Sequence, residues 1–348
     1  MATTNALDIA PQWIGDAVMT EPLMRRLSAR GERLTVGALP WVAPVYRAMP
    51  QVAEVVEFPF SHGGLQFRAR RKLAREFAGQ FDAAYVLPNS IKSALLPLLA
   101  GIPKRIGYLG EARLGLLTHR LKNPPKGQRP PMVAFYSRLS GDVESDIASD
   151  RPQLHLTPDC IDEALETLGV QRGAYYVFAP GAEYGPAKRW PAGHYAALAL
   201  TLDLPVLLLG SAKEAALCDD IAAPVNAAKP GQCLNLAGKT SLANAFAAIG
   251  AARAVVSNDS GLMHVAAALG VPQVAIFGSS SPVHTPPLSA AARVFWLKND
   301  ATYQPPLDCA PCFERECPLP KDQGHMRCLL DVKPEVVQEK LTSILTFV

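Results

Sequence analysis

The sequence predicts an α/β fold with two Rossmann-like domains, whose parallel sheets face each other across a cleft. First, its 348 residues exceed the ~100–200 residues of a typical single domain. Second, 49% of the residues are apolar and 19% are charged, which supports real cores and excludes a disordered or coiled-coil chain. Third, short apolar runs alternate with helix-length segments in both halves, the pattern of strands joined by crossover helices.

In the first half, apolar runs predict four strands, at 6–10, 34–38, 52–58 and 84–87. A helix is predicted at 16–27, because Val18, Leu23 and Leu27 recur at near-helical spacing. Ser90 supplies the chemistry of a helix start after the fourth strand. The stretch 120–131 holds four prolines and four basic residues, which predicts an exposed loop.

The acidic, proline-containing segment 142–158 predicts the boundary between a first domain, 1–158, and a second domain, 159–332. Thr157 and Pro158 provide an N-cap and a first-turn proline for a helix at 159–168. Further strands are predicted at 175–178, 205–209, 254–257 and 274–277, and further helices at 192–202, 260–269 and 334–345.

Charge is distributed unevenly between the two halves. Residues 1–151 carry 20 basic and 13 acidic side chains, whereas residues 152–348 carry 14 and 18. The basic first half indicates an anionic partner. Nucleic acid is not expected, because no nucleic-acid-binding motif accompanies the charge. No apolar stretch reaches the ~20 residues that cross a bilayer, and no leader is recognisable, so a cytoplasmic location is expected.

Three motifs follow predicted strands, where α/β folds place ligands. Asp16 follows a glycine turn and is a candidate general base, with a plain N-cap as the alternative. Lys188 and Arg189 lie in the loop 180–191 and could bind phosphate oxygens, unless the loop is only a solvated basic turn. Asp259 and the residues after it open a helix whose N-terminus could bind an anion, or they only cap it.

Glu214 follows a strand and a glycine, and its carboxylate could bind a ribose hydroxyl or only favour a helix N-terminus. Four cysteines, Cys309, Cys312, Cys317 and Cys328, provide the number of ligands for a structural zinc site. Free thiols or disulfides are the alternatives.

Four stretches together resemble the lipopolysaccharide heptosyltransferases of glycosyltransferase family 9. They are APQWIGDAVMTEPLMRRL (10–27), VLPNSIKSALLPLLAGIPKRIGYLGEARLGLL (86–117), PGAEYGPAKRWP (180–191) and SNDSGLMHVAAALGVPQVAIFGSSSPVHTPPL (257–288). The resemblance extends from Pro11 to about Leu345. Family members usually begin with a purely apolar strand, which Asp8 interrupts here. Because an unpaired buried carboxylate is costly, Asp8 is expected at a strand end or paired.

The resemblance implies a GT-B fold, with an acceptor domain, a donor domain and a last helix (333–348) that crosses back to the first domain. It also implies inverting transfer of L-glycero-D-manno-heptose from ADP-heptose to the inner-core heptose of lipopolysaccharide, without a cofactor. Because that acceptor is anchored in lipid, peripheral contact with the inner membrane is expected. The alternatives are a heptosyltransferase of type I or III, a nucleotide-sugar epimerase, or a non-catalytic nucleotide-sugar-binding protein.

By motif position, Asp16 would be the catalytic base. The expected donor-binding residues are Lys188, Arg189, Gly181, Ser211, Glu214, Asp259, Ser260, Gly261 and His264. The expected acceptor-binding residues are Trp13, Asn89, Lys92, Arg71, Lys72, Arg105 and Arg113.

Overall fold

The computed structural model describes residues 3–60, 64–141 and 150–346, so the first eight residues of the predicted boundary 142–158 lie outside the described residues. The chain divides into two units, Met1–His155 and Leu156–Val348. This division lies three residues before the end of the predicted first domain. Each unit has its own sheet. The cleft between the domains, and the part that each domain plays, stay predictions.

The first unit is a parallel sheet with helices packed against it. Its strands are β1 (Thr4–Ile9), β2 (Glu32–Ala38), β3 (Val52–Glu57), β4 (Ala83–Val86), β5 (Lys104–Tyr108) and β6 (His119–Leu121). Its helices are α1 (Ile14–Met19), α2 (Glu21–Ala29), α3 (Ala43–Arg47), α4 (Phe67–Phe77), α5 (Ile91–Leu99) and α6 (Met132–Ser137). The strand order is β3-β2-β1-β4-β5-β6, and every pair is parallel.

The second unit repeats this layout. Its strands are β7 (Tyr176–Ala179), β8 (Val206–Leu208), β9 (Cys233–Asn235), β10 (Ala254–Asn258), β11 (Gln273–Ile276) and β12 (Ala292–Phe295). Its helices are α7 (Pro158–Leu168), α8 (Ala192–Thr201), α9 (Ala215–Ala228), α10 (Leu242–Gly250), α11 (Gly261–Ala268), α12 (Arg327–Leu330) and α13 (Pro334–Leu345). The order β9-β8-β7-β10-β11-β12 is the same doubly wound order as in the first unit.

The strand order reverses at one place in each sheet, between β1 and β4 and between β7 and β10. Connections leave toward opposite sides of a sheet at such a point, which opens a crevice outside the carboxyl ends of the two strands. The loops that follow β1, β4, β7 and β10 are therefore where this fold positions a ligand. These are the loops that carry the sequence motifs.

The predicted helix at 16–27 is two helices, α1 and α2, which meet at Thr20. Pro22 lies in the first turn of α2, where its missing N–H leaves no hydrogen bond unmade. The Thr20 hydroxyl donates to the Ala17 carbonyl at 2.7 Å. The apolar spacing continues through this segment, but Pro22 begins a new helix and divides the predicted helix in two.

The last helix, α13, packs within the second unit. Val337, Leu341 and Ile344 lie in the same apolar core as Trp190 and the strands of the second sheet. The expectation that this segment crosses back to the first domain stays a prediction. No helix in the described ranges is both long and apolar enough to cross a bilayer.

Asp8 lies inside β1 and is fully buried. Within the described residues, neither of its carboxylate oxygens has a hydrogen-bond partner, so the expectation of a paired carboxylate is wrong. Burial raises the pKa of Asp8 well above its usual range, and the nearby Glu32 adds to the rise. The side chain therefore avoids an unpaired buried charge by holding its proton.

Asp8→Asn is expected to stabilise the protein increasingly as the pH rises. The folded-state pKa of Asp8 lies above the unfolded value of ~3.9. The contribution of protonated Asp8 to the stability of the protein is therefore complete below pH ~3.9. It is lost, at ~1.4 kcal/mol per pH unit, as the pH rises from there through the folded-state pKa. An amide does not ionise. Calorimetry should show the smallest difference in melting temperature between parent and variant below ~pH 4 and a gap of several degrees at ~pH 8. A gap independent of pH would contradict this assignment.

Candidate active site

Asp16 lies in the first turn of α1, directly after the switch-point strand β1. The N-cap of α1 is Trp13, so the alternative that Asp16 is a plain N-cap is wrong. The half-buried Asp16 accepts a hydrogen bond at Oδ1 from the Tyr136 hydroxyl at 3.2 Å. Burial raises the pKa of Tyr136 well above its ordinary value, with the Asp16 carboxylate contributing, so the phenol remains a donor.

Tyr136 is held in place by the packing of α6. The ring of the preceding residue, Phe135, stacks on Tyr108 with 3.9 Å between the centroids. The Tyr108 hydroxyl also donates to the Phe135 carbonyl at 2.7 Å. Fixed in this way, Tyr136 orients the Asp16 carboxylate through Oδ1.

A pocket of about 40 Å³ opens at the same edge of the first sheet, lined by residues that follow β1, β2, β3 and β4. Lys92 and Arg70 bring two cationic groups to its wall. Arg70 is mostly buried: its Nε donates to the Leu65 carbonyl at 2.8 Å, and its guanidinium lies 4.2 Å from the centroid of the Phe60 ring. Burial lowers the pKa of Arg70. In the sequence, Arg70 is one of four basic residues within 68–72, and nothing in the local pattern distinguishes it as the one whose side chain is buried.

The other expected acceptor residues have different surroundings. Trp13 is half exposed, and Arg71 and Lys72 are exposed on α4. Asn89 lies three residues after the end of β4, where its carbonyl accepts the Glu111 N–H at 3.1 Å.

The surroundings of Arg113 do not support the prediction that it binds the acceptor. It is fully buried, and its guanidinium donates to the carbonyls of Pro88, at 2.7 Å, and of Tyr108. Arg105 donates to the carbonyls of Leu116 and Ile102, at 2.7 and 2.6 Å. Both arginines brace the loops after β4 and β5, because buried main-chain carbonyls need donors. A basic residue that braces a loop looks the same in sequence as one that binds a ligand.

In the second unit, Lys188 lies in the loop between β7 and α8. Its ammonium contacts the Asp259 carboxylate, which follows β10, with 2.6 Å between Nζ and Oδ2. The two side chains are 19% and 7% exposed, so the ion pair is largely shielded from solvent. The sequence predicted both residues as donor ligands, and the structure brings them together at one switch point.

Asn258, the last residue of β10, connects the two ends of the Lys188 loop. Its Oδ1 accepts from the Trp190 N–H at 2.9 Å and from the Tyr195 hydroxyl at 3.1 Å. Its Nδ2 donates to the Pro180 carbonyl at 2.6 Å. Asn258 is not among the residues that the sequence predicts for the site. A polar side chain at the end of an otherwise apolar strand is the sequence feature that could have indicated it.

The N-terminus of α11 begins at Gly261, directly after Asp259 and Ser260. Within the described residues, the buried hydroxyl oxygens of Ser257, Ser260, Ser279 and Ser280 have no hydrogen-bond partner. Because buried hydroxyls are normally hydrogen-bonded, these groups are available as donors to a ligand at this helix N-terminus. Ser279 and Ser280 were missed as site residues, although three consecutive serines after an apolar strand are visible in the sequence.

His264 lies in α11 and is buried. Burial lowers its pKa to about 4, with Asp259 opposing and Lys188 reinforcing the shift. The imidazole is therefore neutral near pH 7, and it adds no positive charge to the site.

Glu214 lies against Gly181, where a Cβ atom would come within 1.8 Å of the Glu214 carboxylate. The Glu214 carboxylate accepts from the Ser211 N–H at 2.7 Å and from its hydroxyl at 3.0 Å, which forms a capping box. Arg189 donates to the Ala182 carbonyl at 3.2 Å. Glu214 therefore does stabilise a helix N-terminus, which is the alternative that the sequence left open. The absence of a side chain at Gly181 leaves room for its carboxylate.

The four cysteines line one small cavity of about 30 Å³. In the part of the chain that the structure describes, no group of three or more His, Cys, Asp or Glu side chains could hold a metal ion, so the zinc prediction is not supported. All seven cysteines are free thiols. The segment instead supports the Lys188 loop: the Arg315 carbonyl accepts from the Ala187 N–H at 3.0 Å, and the Phe313 carbonyl accepts from the Tyr184 hydroxyl at 2.7 Å.

Comparison with known proteins identifies relatives along nearly the whole chain. The profile of glycosyltransferase family 9 (heptosyltransferase) matches residues 70–322. Lipopolysaccharide heptosyltransferase 2 of Escherichia coli is 41% identical, covering 97% of this chain and 98% of that protein. The protein of the same name from Salmonella typhimurium is also 41% identical, covering 98% of each chain. The solved structure of E. coli ADP-heptose LPS heptosyltransferase II matches with a TM-score of 0.82 and 38% identity over 99% of each chain.

Proposed function

The chain belongs to glycosyltransferase family 9, and from that premise we propose that it transfers L-glycero-D-manno-heptose from ADP-heptose to the inner-core heptose of lipopolysaccharide, the reaction of the type II heptosyltransferases. Its two parallel six-stranded sheets match the GT-B fold of the E. coli enzyme. The observation that carries the proposal is the edge of the second sheet, where Lys188, the N-terminus of α11 and buried hydroxyls without partners form an anion site.

The chemical step begins at Asp16. An acceptor hydroxyl attacks the anomeric carbon of the donor, a new C–O bond forms, and the bond from that carbon to the diphosphate oxygen breaks. Asp16, whose carboxylate Tyr136 orients through Oδ1, takes the hydroxyl proton, and ADP departs from the opposite face, which inverts the configuration. As in other glycosyl transfers, positive charge develops on the sugar in the transition state.

The diphosphate carries the negative charge that develops as the bond breaks. Lys188 and the first N–H groups of α11 stabilise it, and the hydroxyls of Ser260, Ser279 and Ser280 donate hydrogen bonds to its oxygens. Glu214 binds the ribose of the nucleotide; Gly181 leaves room for its carboxylate, and Ser211 holds that carboxylate through its N–H and hydroxyl. These cationic and dipolar groups perform the charge neutralisation that a divalent ion provides elsewhere, so transfer needs no added cofactor.

The acceptor binds the first unit. Lys92 and Arg70, in the pocket after β1 to β4, together with the exposed Arg71 and Lys72, fit the phosphates and Kdo carboxylates of an inner-core acceptor. Because that acceptor is anchored in lipid, the protein works as a peripheral protein of the inner membrane. Arg113 and Arg105 support the loops of this site through their hydrogen bonds to main-chain carbonyls.

The alternatives differ in what they require. A type I or III heptosyltransferase would use the same donor edge with another acceptor. A binding protein would hold ADP-heptose without turnover. An epimerase would need no surface for a lipid-anchored acceptor.

The test is release of ADP by purified protein given ADP-heptose, with and without heptosylated Kdo2-lipid A. We expect release that depends on the heptosylated acceptor. Release with Kdo2-lipid A alone would instead assign the type I activity. Binding of ADP-heptose without release under either condition would contradict a transferase acting on these acceptors.

A further inference from the structure

Exposed apolar side chains of the first unit concentrate at one edge of its sheet. Seven large apolar side chains of the described part of this unit are exposed, and six of them lie in segments that follow the carboxyl ends of β1 to β5. We call these six the apolar rim: Trp13, Trp41, Leu65, Phe67, Ile91 and Leu114, between 42% and 66% exposed. The seventh, Leu99, lies at the far end of α5. Single exposed apolar residues are ordinary, but a set of six at one edge is not.

The segments that carry the apolar rim are joined to one another. The Trp41 indole N–H donates to the Gln12 carbonyl at 3.1 Å, which ties the segments after β2 and β1. The Ile91 N–H donates to the Glu111 carboxylate at 2.9 Å, which ties the segments after β4 and β5. With the strand order β3-β2-β1-β4-β5, the rim extends over four strand spacings, or roughly 19 Å.

Helix α4 adds positive charge beside Leu65 and Phe67. Its buried face holds Leu73 and Phe77. Its exposed side chains include four cations, Arg68, Arg71, Lys72 and Arg75. Exposed apolar and cationic groups therefore occur together where α4 begins.

We propose that the apolar rim and the exposed face of α4 dock on the surface of an anionic lipid bilayer. The tryptophans and Phe67 enter the region between headgroups and acyl chains, where amphipathic aromatic rings are favoured. Arg68 and Arg75, the exposed cations of α4 that the acceptor does not use, contact lipid phosphates. A second copy of this chain is a poorer occupant, because it would bring another cationic α4 to the same surface.

This proposal rests on the proposed function only in expecting a lipid-anchored acceptor. Its test contains neither donor nor acceptor, so failure of the surface and failure of the transferase are distinguishable. The full chain is sedimented with vesicles of phosphatidylcholine alone or mixed with phosphatidylglycerol, at low and high salt. We expect binding to the anionic vesicles that weakens with salt, together with a blue shift of tryptophan fluorescence.

Leu65→Ser combined with Phe67→Ser should weaken vesicle binding by at least ~10-fold, because two apolar side chains no longer leave water. Leu99→Ser, an exposed leucine of the same unit outside the rim, is the matched control and should bind like the parent. Arg68→Gln combined with Arg75→Gln should also weaken binding and flatten its salt dependence. ADP affinity should be unchanged in every variant.

Three results would overturn the proposal: no binding to anionic vesicles, equal weakening by Leu99→Ser, or binding indifferent to phosphatidylglycerol and salt. Sedimentation velocity without vesicles provides a separate check. A dimer that Leu65→Ser and Phe67→Ser dissociate would assign the rim to a second copy of this chain instead.

Discussion

Asp16→Asn should lower kcat by at least ~100-fold and leave ADP binding close to that of the parent protein. The amide has nearly the shape of the carboxylate, and its oxygen can still accept the hydrogen bond from the Tyr136 hydroxyl. What the variant loses is the ability to take a proton. Single-turnover kinetics with ADP-heptose and heptosylated acceptor measures the chemical step, and calorimetric titration with ADP measures donor-site integrity.

Glu54→Gln is the matched control, because Glu54 is an exposed carboxylate on β3 of the same unit. It removes a negative charge from the unit without touching the switch point, so its kinetics should equal those of the parent. Retention of most activity by Asp16→Asn would exclude Asp16 as the base. Equal losses in the two variants would point to a general effect of charge.

The predictable part of the fold was the part that local patterns determine. The eight predicted strands are all present, because each is a short apolar run followed by residues that end a strand. The helix after Thr157 is also confirmed: the Thr157 hydroxyl accepts from the Cys160 N–H at 3.3 Å. Strand β5 was missed because it begins with Lys104 and Arg105, which looked like part of a basic surface. Strand β6 was missed because it is three residues long and lies at a sheet edge, partly within the predicted loop 120–131.

The site residues also divide into those that local sequence patterns predict and those that only the folded chain determines. Lys188 and Asp259 could be singled out because each follows a strand, and parallel strands bring their carboxyl ends to one edge. The burial of Arg113 could not be predicted, because it depends on carbonyls that only the folded chain brings together. The prediction that Asp8 is paired failed because the fold buries it in the sheet without a hydrogen-bond partner. The carboxyl group keeps its proton, so no unpaired charge is buried. Local sequence carries neither kind of information.

Lys188→Met should lower kcat/KM for ADP-heptose by ~100–1,000-fold and should also weaken ADP binding, unlike the variant of Asp16. The substitution removes the cation that neutralises the diphosphate. It also leaves the buried Asp259 carboxylate, which Lys188 contacts at 2.6 Å, without this partner beside an anionic ligand. Initial rates at varied donor concentration, with calorimetric titration of ADP, measure both effects.

The two losses can be separated, because one comes from a missing cation and the other from an uncompensated anion. Adding Asp259→Asn to Lys188→Met removes the repulsion between the Asp259 carboxylate and the diphosphate, so part of the ADP affinity should return. The kcat should stay low, because the cation is still missing. A double-mutant cycle measures the coupling energy between positions 188 and 259. Lys213→Met is the control, since Lys213 is an exposed lysine of the same unit that pairs with Glu183 at 3.1 Å. Lys188 would be excluded from the diphosphate site if Lys188→Met left the donor kinetics unchanged, or if Lys213→Met changed them equally. The N-terminus of α11 would then be the group that neutralises the leaving diphosphate.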